Sequence, residues 1–256
     1  LKDTVTLTLD TTGEGLHKRG YRDLTAQAPL RETLAAAMIY LSHWEPEYIL
    51  ADPCCGSGTI PIEAAMIGRN IAPGTQRSFD AFRWACIPRQ LWSEAIEEAD
   101  DLAEPDKPLR VWGSDISADV LSLAHRHAER AGVADTVEFT QRPLQEFKTH
   151  HKYGYLLANP PYGERLGDVQ QAEALYRDLG QVYSRLKLWS CLTLTPHERF
   201  EKLFGARATY RRKLYNGRIQ CWLYQFFGPK PPGLTAGERR GSDGGAAEER
   251  RGRQNG

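Results

Sequence analysis

The sequence predicts an α/β fold, a mostly parallel sheet with helices on both faces and a terminal antiparallel hairpin. Three observations point there. The apolar run Tyr48-Ile49-Leu50-Ala51 leads through Asp52-Pro53-Cys54-Cys55-Gly56-Ser57-Gly58-Thr59 into a helix-like stretch over 60–66. This is the strand–loop–helix unit by which such sheets bring backbone close to a ligand. From residue 109 onward, short apolar runs alternate with amphipathic stretches, which suits parallel strands joined by helices. Two β-rich runs then flank Asn216-Gly217, the strongest short hairpin signal.

Taken in order, residues 4–10 alternate like a strand with Val5, Leu7 and Leu9 on one face, and 16–22 offer a returning strand across the turn 11–15. Residues 1–24 are therefore expected to form a hairpin and linker. A two-stranded hairpin is marginal alone. It must pack on the main domain or on something preceding a chain that starts abruptly inside this strand. Lys18, Arg19, Tyr21 and Arg22 are placed there either to touch RNA phosphates and bases or simply as a solvated strand face. Pro29 opens a helix through Leu41, with Leu30, Leu34, Ala37, Met38 and Leu41 on one stripe. Residues 68–108 break the rhythm. Rich in Trp, Arg and acids, with a helix over about 88–103, they read as an insertion over the domain edge. A strand over 109–116 ends in Asp115, a helix over 118–131 stops at Gly132, and a strand covers 136–140. The strand 153–158 follows, then a helix over about 169–186, a strand at 189–195 and a short helix at 198–204. The main domain is expected over 25–228. From Gly228 almost nothing is apolar, so 229–256 should be a disordered tail.

Chemistry concentrates in two loops. The strand 153–158 is ended by Asn159-Pro160-Pro161-Tyr162, where two prolines stiffen the backbone. The Asn159 oxygen and the Pro160 carbonyl can accept both hydrogens of an exocyclic amine, and the Tyr162 face can stack on its ring. The upstream Asp52 loop lacks the third glycine of a dinucleotide fingerprint and the Gly-Lys-Ser/Thr of a phosphate loop. A strand-terminal acid, a Gly-x-Gly turn and a downstream Asn-Pro-Pro-Tyr together predict S-adenosyl-L-methionine as cofactor, because its sulfonium and ammonium favour a carboxylate neighbour. Asp115 is read as the acceptor of the ribose hydroxyls or as a helix N-cap, with Ser117 competing for the cap. The stretch 163–167, containing Arg165, is read as a flexible loop able to close over substrate.

Composition limits the alternatives. Of 256 residues, 41% are hydrophobic and 26% charged, values that suit one sizeable globular domain. Formal net charge is zero, so affinity for nucleic acid must come from a local patch. Arg207, Arg211, Arg212, Lys213 and Arg218 supply one, with no acid between residues 205 and 227. They are read as a phosphate-contacting surface or as cations guarding a sheet edge. The five cysteines show no Cys-x-x-Cys pairing and no histidine at ligand spacing, so neither a metal nor a disulfide framework is expected, which fits a reducing cytoplasm. No signal peptide and no run of about 18 apolar residues is found, so no membrane is expected.

Taken together, LHKRGYR, APLRETLAAA, DPCCGSGTIPIEAA, NPPYGERL and RRKLYNG resemble one family across residues 1 to about 228. It is the THUMP-associated, adenosylmethionine-dependent RNA methyltransferases, comprising the RlmL-type guanine-N2 methyltransferases of large-subunit rRNA and their shorter relatives. The resemblance implies a Rossmann-like class I methyltransferase sheet of seven strands and a preceding RNA-binding THUMP domain. It implies a cofactor site of Asp52, Pro53, Cys55, Gly56, Gly58, Thr59, Asp115, Ile116 and Asn159, with Asn159, Pro160, Pro161 and Tyr162 at the target base. Arg165 of the loop and Arg211, Arg212 and Lys213 of the basic hairpin are the candidate RNA contacts. Arg142-Pro143 stands where many such enzymes carry an acid that reads the cofactor adenine, so backbone groups, Gln145 or Glu146 are expected to take that contact. The implied reaction is methyl transfer to guanine N2 in 23S rRNA or in tRNA. Rival readings are an adenine-N6 methyltransferase of DNA or RNA, a small-molecule or protein-glutamine methyltransferase, and a non-catalytic cofactor-binding RNA module.

Overall fold

The computed structural model describes residues 5–22, 30–163 and 166–230, with the backbone alone at 166 and 167. The most apolar short runs take the centre of the sheet. β1 (Ile49–Asp52), β4 (Gly154–Ala158) and β5 (Trp189–Thr195) are buried at every position, as strands covered on both faces must be. β2 (Val111–Asp115) and β3 (Val137–Gln141) extend one side, and β6 (Tyr210–Asn216) with β7 (Ile219–Phe226) the other. The order is β3-β2-β1-β4-β5-β7-β6. The first five strands are parallel, with Leu50 opposite both Val111 and Tyr155, while β7 runs antiparallel to β5 and to β6.

Side-chain alternation divides the interior into two cores. Leu50, Leu157, Leu192 and Leu223 face α1 (Glu32–Ser42) and α2 (Thr59–Gly68). Ile49, Leu156, Cys191 and Tyr224 face α5 (Leu166–Arg185) and α6 (Phe200–Phe204). The helix expected over 29–41 begins at Glu32, and Pro29 lies outside the described residues. Its buried stripe keeps Leu34 and Met38 but recruits Ala35 and Ile39 in place of Ala37 and Leu41. The strand order reverses between β1 and β4, which leaves a crevice at the carboxyl ends of these two strands.

The N-terminal hairpin does not form, for no strand is found among residues 5–22. Strands need a ladder, and here the carbonyls of Thr12, Glu14, Gly15 and Lys18 accept from the Arg77 guanidinium instead. Gly13 and Gly20 also turn the chain at positive φ, and Gln76 packs so close that a Cβ at Gly20 would fall 2.3 Å from its carbonyl oxygen. Nor do Arg19, Tyr21 and Arg22 form a nucleic-acid surface or a solvated face. Tyr21 is 1% exposed and donates to Glu63, which Arg19 pairs at 3.2 Å, while Arg22 pairs with Glu32 at 3.1 Å. These buried pairs lock the segment onto α1 and α2, whereas Lys18 is exposed and pairs with Glu14.

The excursion over 68–108 carries a 3-10 turn at Asp80–Arg83 and α3 (Arg89–Asp101), a helix with no buried residue. Its own small nucleus is aromatic, with the Phe82 and Trp92 rings 4.4 Å apart edge to face. α4 (Ala118–Arg130) follows β2 and ends before Gly132, at φ 72°. In the terminal hairpin, Asn216 pairs with Ile219, so the two-residue turn is Gly217-Arg218 and not Asn216-Gly217. Gly217 supplies the positive φ of 63° at the first turn position. The segment 231–256 lies outside the described residues.

α5 and α6 meet backbone to backbone at Gly180, where an added Cβ would fall 1.9 Å from the Phe204 carbonyl oxygen. Helix propensity alone favours alanine over mid-helix glycine by about 1 kcal/mol. Packing reverses that preference, because neither backbone can yield without parting the helices. Gly180→Ala should lower unfolding free energy by at least about 2 kcal/mol in urea titration, and a gain in stability would contradict this contact.

Candidate functional site

A cleft of about 790 Å³ opens above the carboxyl ends of β1, β2 and β4. The Asp52 loop and the Asn159–Tyr162 loop form facing walls, since their parent strands are neighbours in the sheet.

Asp52 closes β1 and is almost wholly buried, with the Cys54 amide donating to its Oδ1 at 3.1 Å. Burial first, and then the nearby charge of Asp115, raise its carboxyl to about 8. Burial also pushes the Cys54 and Cys55 thiols up, which leaves them poor nucleophiles. Gly56, at φ 53°, brings its N–H 2.9 Å from Asp115 Oδ2, and Ser117 N–H donates to Oδ1 at 3.0 Å. Ser117, and not Asp115, caps α4, its Oγ accepting from Val120. Asp115 lines the cleft, and each of its oxygens keeps capacity to accept a further hydrogen bond. A wall with two carboxyl groups and close backbone suits a cationic, hydroxyl-bearing ligand and disfavours a phosphate.

Across the cleft, the Tyr162 hydroxyl donates to Asn159 Oδ1 at 2.7 Å and lies 3.5 Å from Asn216 Nδ2. Burial pushes the Tyr162 phenol well up, so the hydroxyl keeps its proton and its donor role. One lone pair of Asn159 Oδ1 is thereby used and one is left. Behind the loop, Tyr176, buried in the second core, donates to the Pro161 carbonyl at 3.2 Å and pairs with Thr195 Oγ1 at 3.0 Å. The loop is braced by its prolines and also by hydrogen bonds from α5 and the hairpin, with Thr195 of β5 in turn holding the Tyr176 hydroxyl.

Of the residues expected from sequence, Asp52, Cys55, Gly56, Thr59, Asp115, Asn159, Pro160, Pro161 and Tyr162 line the cleft. Pro53, Gly58 and Ile116 do not. Pro53 is buried off the wall and Ile116 is 72% exposed to solvent. Gly58 caps α2 at φ 83°, where a Cβ would meet Phe139 at 2.9 Å and Ala124 at 3.0 Å, so the glycine serves packing below the loop. Arg165 lies outside the described residues. Arg211, Arg212 and Lys213 are exposed on edge strand β6, beside the cleft and not in it. Arg142, Gln145 and Glu146 also stand off the lining, Arg142 over the Phe147 ring and Gln145 bonded to Asp178. The cleft gains residues that sequence reasoning missed: Asp168, Gln171 and Leu175 of α5, and Asn216 and Ile219 of the hairpin. The available signal for α5 was that a helix starting a few residues after β4 must begin at the same end of the sheet. Among the described residues, no group of three or more His, Cys, Asp or Glu is arranged to hold a metal ion.

Residues 19–225 match the family described as UPF0020: RMKL-like, methyltransferase domain. The chain is 40% identical over 229 residues to "Ribosomal RNA large subunit methyltransferase K/L" of Legionella pneumophila (strain Corby), covering 87% of this chain and 32% of that protein. Among solved structures, one titled as a predicted N6-adenine-specific DNA methylase from Listeria monocytogenes is 49% identical with a TM-score of 0.81, covering 86% of this chain and 57% of that one. SMU.472, crystallised in complex with SAH, is 44% identical with a TM-score of 0.82 over 87% of this chain and 58% of that one. The chain thus spans about a third of the K/L protein and under three fifths of these two crystallised chains. The seven-stranded sheet, the facing loops and these matches place the chain in the RMKL-like family of adenosylmethionine-dependent methyltransferase domains.

Proposed function

We propose that this chain is the catalytic domain of a cytoplasmic RNA methyltransferase acting on the exocyclic amine of a base, N2 of guanine in large-subunit rRNA before any other. One observation carries the reading: an acid-walled loop and an amide-bearing, proline-braced loop face each other across a single cleft. Bound adenosylmethionine supplies an electrophilic methyl group on a sulfonium. Asp52 sits where a carboxylate offsets a ligand's positive charge, and Asp115 offers lone pairs to sugar hydroxyls. Gly56 lets the backbone approach without a side chain between.

On the acceptor side, the free lone pair of Asn159 and the Pro160 carbonyl hold the amine hydrogens and stabilise positive charge growing on nitrogen. Tyr162, its hydroxyl tied to Asn159 and Asn216, presents a fixed aromatic wall to a base taken out of its stack. Most of the rate comes from orientation. The same loop serves the N6 amine of adenine, so ribosomal RNA as substrate is supported by the K/L relative's name and guanine by the family resemblance. Methyl incorporation from labelled cofactor into rRNA, tRNA and duplex DNA, with mass spectrometry of the product nucleosides, tests the assignment. Label in N6-methyladenine of DNA alone would overturn it.

Two outcomes are expected at the cleft. Asn159→Ala should cut methyl transfer by at least about a hundredfold while cofactor affinity changes little. Turnover near that of the unaltered protein in a tritiated-methyl assay would reject the role. For Asp52, the unliganded carboxyl holds its proton below about 8, and a cationic ligand favours the carboxylate. Cofactor affinity should therefore rise with pH from about 6 to about 7.5, by up to about tenfold per unit, with proton release on binding. Calorimetry in buffers of different ionisation enthalpy should show the release, and Asp52→Asn should abolish it. A flat profile for the unaltered protein would contradict the buried-acid reading.

A further inference from the structure

We infer that the exposed edge strand β6 is a track for single-stranded RNA, combining unpaired cations with aromatic stacking platforms and ending at the cleft through Asn216. The inference rests on the reading that the acceptor is an RNA base. β6 is the last strand of the sheet, so one of its edges is free, and its first four residues, Tyr210 to Lys213, are all exposed. Among the described residues Arg211, Arg212 and Lys213 form no ion pair, whereas Arg19, Arg22 and Arg69, whose side chains are largely covered, each pair with a carboxylate. Tyr210 and Tyr215 are 62% and 56% exposed, and cations already lie over rings: Lys213 Nζ 5.5 Å from Tyr215, and Arg211 4.5 Å from Trp222 of β7. Ring faces beside positive charge are what a single strand requires, since it offers unstacked bases and phosphates together. A duplex hides its base faces.

The alternative role for these cations, protecting a free edge from pairing with another strand, explains the charges alone. It does not explain the tyrosines, because exposed aromatics on an edge promote strand pairing. Direction comes from the end of the strand. Tyr215 is followed by Asn216, which lines the cleft with its pairing partner Ile219 and reaches the Tyr162 hydroxyl. A strand lying along β6 is thereby led to the acceptor loop, and the six residues from Arg211 to Asn216 span about 17 Å.

The test uses the chain as it stands, with fluorescence anisotropy on a labelled single-stranded RNA of about 12 nucleotides and on the corresponding duplex. Tyr215→Ala should weaken single-strand binding by about fivefold to about a hundredfold, and Tyr215→Phe, which keeps the ring, should restore it. Lys213→Gln should lower the dependence of log affinity on log salt by about 0.7, one phosphate contact on a single strand. S-adenosylhomocysteine affinity, measured on each variant by calorimetry, should stay unchanged and certify the fold. Failure of the unaltered protein to bind single-stranded RNA, or Tyr215→Ala binding like the unaltered protein, overturns the track. Methyl transfer to RNA that ignores Tyr215→Ala would do the same while leaving the enzymatic reading intact. RNA binding that depends on Tyr215 without methyl transfer to any nucleic acid would keep the track and remove the enzymatic reading.

Discussion

The parallel pairing of β1 with β4 is the constraint on which the site depends. Neighbouring strands lie about 4.8 Å apart, and both run toward the same edge, so whatever follows them emerges side by side. Asp52 and the glycine loop follow one strand, Asn159 and its prolines the other. Asp52 and Asn159 stand 107 positions apart in sequence, and the reversal of strand order keeps crossover helices from filling the space between. The chemistry proposed for the cleft is a consequence of this adjacency.

Electrostatics sharpens the two walls in opposite ways. Asp52 is buried with one amide donor and a second carboxylate nearby, so its anionic form is held unfavourable until a cation arrives. Asp115 already accepts two backbone amides, which fixes its orientation. The opposite wall holds no ionisable side chain among its loop residues apart from a phenol whose burial keeps it neutral. The neutral amine proposed as acceptor would meet dipoles there, and a cationic donor would meet charge on the other side. Buried pairs also tie the N-terminal segment into the domain, with Arg22 reaching both Glu32 and the Ser57 hydroxyl of the glycine loop at 3.4 Å. Buried ion pairs are weak evidence of net stability; here they set where the segment lies.

The terminal hairpin belongs to the site as well as to the sheet. Without β6 and β7 the Tyr162 hydroxyl would lose Asn216, and the cleft would lose Ile219. Tyr176 does a similar service from α5, so the Asn-Pro-Pro-Tyr loop is held both by the helix that follows it and by the hairpin more than 50 residues on.

By itself the sequence determined the local units. Strand–loop–helix at Asp52, the proline-ended strand before Asn159, the Ser117 competitor for the cap of α4 and the terminal hairpin were all legible, because period, caps and turn residues act over a few neighbours. The adenosylmethionine cofactor was legible too, since the strand-terminal acid, the Gly-x-Gly turn and the Asn-Pro-Pro-Tyr segment are each local motifs. Tertiary structure decided the rest. Val5, Leu7 and Leu9 alternate like a strand, yet no ladder formed, because Arg77 took the neighbouring carbonyls from 59 or more residues away. Arg19 and Arg22 read as surface cations until the folded chain set Glu63 and Glu32 against them. Gly58, expected at the cofactor, also holds a tight packing position beneath the loop, while Asn216 looked like a turn residue and lines the cleft. Periodicity shows which face of an element is apolar; only the assembled sheet decides which polar group each remaining side chain meets.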